Sequence, residues 1–250
     1  MNPFGLRAHQ LAAFACPVLE YLPAGYGAED ADQAEIDDVG SLAALASPDV
    51  VEARAEAYRS AGVHGFTFWE QPGPDLSPAE NWATVMAGSL SVAAQADERD
   101  LTGALTISWP EAASEVFADY QHEHQGWRSN TPELAPFVSE SDQEGLQDAA
   151  DQGLLMSPRD NHGFAGLAAA TISPLFGRRA VCMLEMFLTE RLRGKGLAPA
   201  VQSSFLAGQR SGADTGWGHI HAGNLPSLRT AQKLGRAPVQ QEYFVSLSAF

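Results

Sequence analysis

The spacing of apolar residues predicts an alternation of strands and helices along most of the chain. From residue 101 onward, apolar residues alternate with polar ones over short stretches, as on half-buried strands. In longer stretches they recur every three or four residues, as on amphipathic helices. The predicted order from residue 101 is strand, two helices, three strands, helix, strand, helix and a final strand or strand pair.

Capping and turn residues predict the limits of these elements. Ser141 and Glu144 have the spacing of a capping box, while Asn224 and Gly235 suit the start and end of the last helix. The predicted strands cover residues 101–108, 154–156, 164–172, 180–189, 216–221 and part of 237–247, and the predicted helices cover 110–120, 141–153, 196–212 and 224–235.

The first hundred residues show a less regular pattern. A helix is predicted for residues 48–62 and a strand for 66–69, and Ser77 with Glu80 forms a second capping box before a helix predicted to reach Gln95. The polar residues 95–100 are predicted to form a linker. We therefore predict an amino-terminal accessory region over residues 1–100 and a separate domain over residues 101–250.

Charge and composition restrict the classes of partner. The chain carries 31 acidic against 15 basic residues, and the whole excess lies in residues 1–125. Such a surface repels nucleic acid and anionic membranes and attracts cationic amines, although its simplest role is solubility. With only Cys16 and Cys182, no clear export signal and no apolar run of spanning length, we expect a cytoplasmic protein.

The strongest chemical signal is the turn that follows the predicted strand at residues 180–189. Arg191, Arg193 and Lys195 surround Gly194 and Gly196, and the glycines allow a left-handed backbone without a Cβ beside a ligand. The following helix directs free amides and its positive dipole end at the same place. This combination predicts a phosphate site, although tight turns also use glycine for purely structural reasons.

Two motifs together resemble the GNAT superfamily of acyl-CoA-dependent N-acetyltransferases. The first is Arg191-x-x-Gly194-x-Gly196, which matches the pyrophosphate motif of that family, and the second is Asn224-x-x-Ser227 at the start of the later helix. They occur in the order and at the spacing of the family. The resemblance covers residues 101–250.

The resemblance implies an α/β fold with a mixed, mostly antiparallel sheet, flanked by helices and split by a wedge for CoA. The split is expected between the strands at 180–189 and 216–221. Residues 1–100 are then an acidic α/β addition. Three interpretations of it are possible: a degenerate GNAT-like copy, a lid, or a segment for dimerisation. A homodimer is one option for the quaternary state.

The resemblance also implies a set of donor contacts. Acetyl-CoA is the expected acyl donor, and neither a metal nor another cofactor is expected. The expected CoA contacts are strand residues for pantetheine (Phe187 and Leu188), the turn for pyrophosphate (Arg191, Arg193, Gly194, Lys195, Gly196, Leu197 and Ala198), and the later helix motif (Asn224 and Ser227).

The implied reaction is direct attack by a primary amine of a small molecule or peptide. Glu185, an acidic residue within an apolar strand, is the candidate base, and the alternative is an outward, solvated carboxylate. His221, and less so His219, is a reserve for proton relay, although a structural role is commoner. Tyr243 is the candidate acid for the departing thiolate.

Several residues depart from the family pattern. Ala231 occupies the position at which the family usually has a tyrosine, and Arg236 replaces the usual aromatic residue after the helix glycine. These differences keep open a non-catalytic acyl-CoA-binding or partner-binding module, and a longer acyl donor is a further option. Cys182 is expected to be an inert buried thiol, and His122 with His124 is a weak metal motif because their side chains point apart on a helix.

Overall fold

The computed structural model describes residues 65–70, 84–95, 105–175, 179–213 and 215–246. The chain divides into two compact units, residues 1–91 with 220–225 and 238–250, and residues 92–219 with 226–237. The strands are β1 (Gly65–Glu70), β2 (Thr84–Gln95), β3 (Thr106–Ser108), β4 (Leu155–Asp160), β5 (Gly163–Phe164), β6 (Gly166–Ile172), β7 (Ala180–Leu188), β8 (Thr215–His221) and β9 (Ala237–Ser246), and the helices are α1 (Phe117–Asn130), α2 (Gln143–Asp151), α3 (Leu197–Gly208) and α4 (Leu225–Lys233).

The first unit contains β1 and most of β2 and β9. Its strands follow the order β1-β9-β2, and β1 pairs antiparallel with β9 from Gly65↔Ser246 to Glu70↔Gln241. The strand predicted at residues 66–69 is confirmed. The helix predicted up to Gln95 is wrong, because residues 84–95 form β2; Thr84 and Val85 favour a strand, and the internal glycine disfavours a helix. The helix predicted at 48–62 lies outside the described residues.

The second unit holds a mostly antiparallel sheet. Its strands follow the order β8-β7-β6-β4-β3, with β5 paired to β4. Antiparallel pairing links β3 to β4, β4 to β6 and β6 to β7, whereas β7 and β8 are parallel. Helices flank this sheet, so the predicted mixed α/β class is confirmed.

A β-bulge interrupts β7 at Leu184. Ala169 pairs with Glu185 and Ala170 pairs with Met183, which leaves Leu184 without a partner opposite it in β6. The extra residue turns the strand and resets which side chains face the core. Leu184 is exposed as a result, whereas Glu185 is buried.

The parallel strands β7 and β8 pair only over their first three residues. The register runs from Ala180↔Thr215 to Cys182↔Trp217, and then ends although both strands continue. The predicted split between these strands is therefore present. We call the space between residues 183–188 of β7 and the residues Gly218 and His219 of β8, all in the second unit, the wedge.

Packing of the helices agrees with the apolar pattern, with small changes at the ends. Asp142, and not Ser141, caps α2, since its side chain accepts the Gly145 N–H at 2.7 Å. The predicted helix at 110–120 is a 3₁₀ turn (Ala113–Glu115) followed by the longer α1. Its buried residues Tyr120 and Trp127 belong to the same core as β6, β7 and α3.

The last helix ends as the sequence predicts. Gly235 has a φ of 73° and its N–H bonds to Gln232 O, while Arg236 N–H bonds to Ala231 O at 2.9 Å. This pattern is a Schellman motif, which requires a left-handed residue at the glycine. It leads the chain directly from α4 into the sheet and buries the side chain of Arg236.

Candidate active site

The turn between β7 and α3 has an open, left-handed backbone. Gly194 and Gly196 have φ angles of 72° and 73°, as predicted from their role in the motif. No described atom lies within 4 Å of a Cβ built on either glycine. Gly194, Lys195 and Gly196 are all exposed, and α3 begins at Leu197 immediately behind them. The first amides of α3 have no helical acceptor, so the turn can receive an anion.

Arg191 binds the protein and not the open side of this turn. Its Nε and Nη2 donate to the two carboxylate oxygens of Asp160 at 3.1 and 3.0 Å, and Nη2 also donates to Phe164 O at 2.5 Å. These hydrogen bonds hold the pKa of Asp160 below its usual value. Arg191 therefore fastens the turn to the β4–β5 hairpin.

Arg193 also points back towards the core. Its Nε donates to Leu188 O at 2.7 Å, and its guanidinium lies 4.5 Å from the ring centre of Trp127 and 4.9 Å from that of Phe187. Burial lowers the pKa of Arg193 to about 10. Among the three cations of the motif, Lys195 is exposed and makes no hydrogen bond or ion pair to the described residues. The side chains of Arg191 and Arg193 thus differ from the prediction, in which all three cations surround the anion.

The main chain of β7 presents alternate residues to the wedge. Thr189 N–H donates to Ala165 O at 3.0 Å, so by alternation the main-chain groups of Phe187 bond towards β6. Those of Met186 and Leu188 then face the wedge. Leu188, a predicted pantetheine contact, has its N–H on this side, and Met186, which had no signal in the sequence, has its C=O there; the Met186 N–H is bonded to Glu185 and the Leu188 C=O to Arg193.

Glu185 is buried in a network of hydrogen bonds. Tyr120 Oη donates to Glu185 Oε2 at 2.5 Å, and Met186 N–H donates to Oε1 at 2.9 Å. The Ser141 N–H donates to Tyr120 Oη at 3.1 Å. With 8% exposure, Glu185 is not the solvated carboxylate of the alternative interpretation.

The pKa values of both Glu185 and Tyr120 are shifted by their surroundings. Burial raises the pKa of Glu185, and the Tyr120 and Met186 hydrogen bonds oppose that change in part. Burial and the neighbouring Glu185 charge raise the pKa of Tyr120. A carboxylate with a raised pKa is a suitable proton acceptor near neutral pH. Tyr120 had no signal in the sequence, since it lies 65 residues from Glu185.

The other candidate catalytic residues are His221, His219 and Tyr243. His221 Nδ1 accepts the Gly223 N–H at 3.0 Å, and burial lowers the pKa of His221. His219 is exposed and packs edge-on against Trp217, with ring centres 5.1 Å apart. Tyr243 lies on β9, where it pairs with Phe68. Its side chain lies outside the described atoms, so its role stays a prediction.

The second motif lies at the start of α4. Asn224 immediately precedes the helix, and its N–H donates to His221 O at 2.8 Å. Ser227 lies in the first turn of the helix and is half-buried. The position of the motif is as predicted, and its CoA contacts stay a prediction.

His124 is fully buried beside Tyr120, with its Nδ1 3.6 Å from Glu140 Oε2. Its ring lies 5.4–5.5 Å from the rings of Tyr120, Trp127 and Phe187, and neither ring nitrogen has a hydrogen bond among the described atoms. Burial lowers the pKa of His124 to about 4. Within the described ranges, no group of three or more His, Cys, Asp or Glu residues is arranged to hold a metal.

Comparison with known proteins gives matches in structure only. No protein-family model and no curated protein matches the sequence. The structure is similar to a GNAT-family acetyltransferase from Colwellia psychrerythraea, with a TM-score of 0.53 and 10% identity over 80% of this chain and 74% of the other. A GCN5-related N-acetyltransferase from Kribbella flavida gives a TM-score of 0.49 and 15% identity, covering 80% and 74% of the two chains.

Proposed function

Because the chain has the GNAT fold, we propose that it is an acyltransferase that uses an acyl-CoA donor and a primary amine acceptor. One observation supports this function above the others. An open turn with two left-handed glycines lies at the end of β7, directly beside the wedge between β7 and β8. The pyrophosphate of CoA requires an anion-binding turn, and its amide-containing arm requires main-chain groups on a strand edge, which Met186 C=O and Leu188 N–H provide here.

In this proposal the donor binds along the turn and the wedge. The amides from Gly194 to Ala198 receive the pyrophosphate, and the Lys195 ammonium supplies the mobile positive charge. The pantetheine amides pair with the Met186 C=O and the Leu188 N–H, because the Met186 N–H is bonded to Glu185 and the Leu188 C=O to Arg193. Arg191 and Arg193 keep the turn in place through Asp160 and Trp127, without binding phosphate by their side chains.

The chemical step is attack of the amine nitrogen on the thioester carbonyl carbon. The new C–N bond forms as the C–S bond breaks, and CoA leaves as the thiolate. The ammonium loses one proton to solvent before it attacks, and the second proton passes from the attacking nitrogen to Glu185, whose raised pKa suits proton acceptance. Tyr120 holds the carboxylate in one orientation. A wedge-facing amide stabilises the charge that forms on the carbonyl oxygen.

The position on α4 that is expected to donate a proton to the thiolate holds Ala231. Ala231 is buried there and offers no hydroxyl. CoA therefore leaves as the anion, and Tyr243 and His221 are the candidate donors of a later proton. Loss of this acid affects the rate less than loss of the base, because a thiolate is a tolerable leaving group.

The acceptor is proposed to be a cationic amine of a small molecule or peptide. The acidic excess of residues 1–125 attracts such a group and repels nucleic acid and anionic lipid. No helix within the described ranges is long and apolar enough to cross a bilayer.

A non-catalytic acyl-CoA-binding module is the second candidate. Ala231 and the burial of Glu185 favour it, since both limit proton transfer. Such a module binds acyl-CoA but releases no thiol with any amine.

Acetyl-CoA turnover tests the proposal, with release of free thiol measured over polyamines, aminoglycosides, amino acids and peptide amines. We expect thiol release with at least one cationic amine. Binding of acetyl-CoA without thiol release would favour the second candidate, and activity restricted to anionic acceptors would contradict the electrostatic argument.

A further inference from the structure

Arg236 is a buried cation with an incomplete set of partners. The residue is 3% exposed and follows the Schellman end of α4. Its Nη1 donates to Gln202 Oε1 at 3.2 Å. Its Nε and Nη2 have no hydrogen-bond partner among the described atoms. Buried guanidinium groups are normally paired, so two free nitrogens are exceptional.

No described carboxylate compensates the charge of Arg236. Cys182 is the nearest ionisable neighbour, but burial raises its thiol pKa to about 11, so it is neutral near pH 7. Burial also lowers the pKa of Arg236 to about 10, which leaves the guanidinium charged at pH 7. An isolated buried charge is strongly unfavourable, and an anionic ligand would remove that penalty.

The free nitrogens lie at the closed end of the wedge. Arg236 Nη2 is 3.6 Å from a Cβ built on Gly218, and that position is 3.2 Å from Met183 Cβ. Gly218 follows Trp217, whose pairing with Cys182 is the last between β7 and β8. Because Gly218 has no side chain, the guanidinium packs closely against the end of the wedge beside Met183.

The length of the donor places its acyl group near this end. The pantetheine arm has a chain of about thirteen atoms, equal to about four residues of extended strand, or roughly 13 Å. Counted back from Leu188, beside the pyrophosphate turn, four residues of β7 reach Leu184. An acyl group beyond the thioester therefore extends towards Met183, Gly218 and Arg236.

We infer that the preferred donor carries a carboxylate at the far end of its acyl group, as malonyl-CoA and succinyl-CoA do. Nε and Nη2 lie on one side of a guanidinium and bind a carboxylate in a bidentate pair. Arg191 shows the same geometry here, where Nε and Nη2 bind the two oxygens of Asp160. In Arg236 this pair of donors is free.

This inference rests on the proposed function and specifies its donor. The amine nitrogen forms a C–N bond with the thioester carbonyl carbon, the C–S bond breaks, and CoA leaves as the thiolate. The proton of the attacking amine passes to Glu185. The remote carboxylate stays ionised beside Arg236, so the product is an amide that carries one carboxylate.

Donor preference is the direct test. Initial rates of thiol release are measured with malonyl-, succinyl-, acetyl- and butyryl-CoA on one amine, butyryl being the uncharged chain of similar length to succinyl. We expect a kcat/KM for malonyl- or succinyl-CoA at least about ten-fold above that for butyryl-CoA, the effect of one charge-assisted pair. Arg236→Gln should lower this ratio by a similar factor. Arg229→Gln, on the exposed side of α4, should leave it unchanged.

A binding measurement on the wild-type protein tests the inference even if Arg236→Gln does not fold. Thermal unfolding of the wild-type protein is followed with each donor, and malonyl- or succinyl-CoA should raise Tm more than butyryl-CoA does. Equal shifts, or equal kcat/KM for charged and uncharged donors, would overturn the inference and leave the acyltransferase proposal intact. If no acyl-CoA shifts Tm or releases thiol, both proposals fail.

Discussion

Tyr120 donates its phenolic proton to Glu185 at 2.5 Å and thereby joins α1 to β7 inside the core. The bulge at Leu184 makes this contact possible, because it directs the side chain of Glu185 to the side of the sheet where Tyr120 packs. A charged acceptor and a phenol at this distance form a strong hydrogen bond. The pair therefore fixes the orientation of the proposed base.

Glu185→Gln is expected to reduce kcat by about 10²-fold or more, the usual contribution of a general base, while binding of acetyl-CoA is retained. Steady-state kinetics and calorimetry measure the two quantities. Glu144→Gln, an exposed carboxylate on α2, serves as the matched control. An unchanged kcat in the Glu185 variant would exclude Glu185 as the base.

Tyr120→Phe is expected to move the acid limb of the kcat/KM pH profile to higher pH. The Tyr120 hydrogen bond lowers the pKa of Glu185, so its removal raises that pKa and protonates the base over a wider range. The phenyl ring keeps the contacts with His124 and Phe187. An acid limb at the same pH would show that Glu185 does not control the profile.

Gly194→Ala and Gly126→Ala are expected to have opposite effects on stability. Both glycines have free space for a Cβ, but Gly194 has a φ of 72° and Gly126 lies inside α1. The first change should cost about 1 kcal/mol of unfolding free energy and weaken CoA binding, and the second should add about 0.5–1 kcal/mol. Urea titration and calorimetry measure both effects. Retained CoA affinity in Gly194→Ala would contradict the anion-binding geometry.

His124→Leu is expected to make the protein less sensitive to acid. Burial lowers the pKa of His124 from 6.5 to about 4, so the unfolded chain binds this proton first as the pH falls. The wild-type protein should therefore lose about 3 kcal/mol of stability between pH 6.5 and 4 that the variant keeps. Denaturation at several pH values checks this difference. If both proteins lose the same free energy of unfolding as the pH falls, His124 is not buried as a neutral group.

Local chemistry in the sequence was sufficient to predict the turn and the ends of α4. Gly194, Gly196 and Gly235 adopt left-handed backbone because their neighbours in the sequence require it. The local apolar pattern also predicts the strands β7 and β8, and the GNAT resemblance predicts the split between them. These features depend on short stretches of chain, which sequence patterns describe well.

Features that depend on distant partners were not predictable. The direction of Arg191 depends on Asp160, and that of Arg193 depends on Trp127. The burial of Glu185 depends on a bulge that shifts the strand register, which alternation alone does not reveal. For the same reason a helix was predicted where the backbone forms β2, since pairing with other strands outweighed the apolar spacing.

Calorimetric titration with coenzyme A tests the central claim, which is that the amides after Thr189 bind a pyrophosphate. We predict measurable heat with a Kd of about micromolar to tens of micromolar, and at least about ten-fold weaker binding of pantetheine, which lacks the pyrophosphate. Absence of heat with coenzyme A, or equal affinity for pantetheine, would contradict the claim.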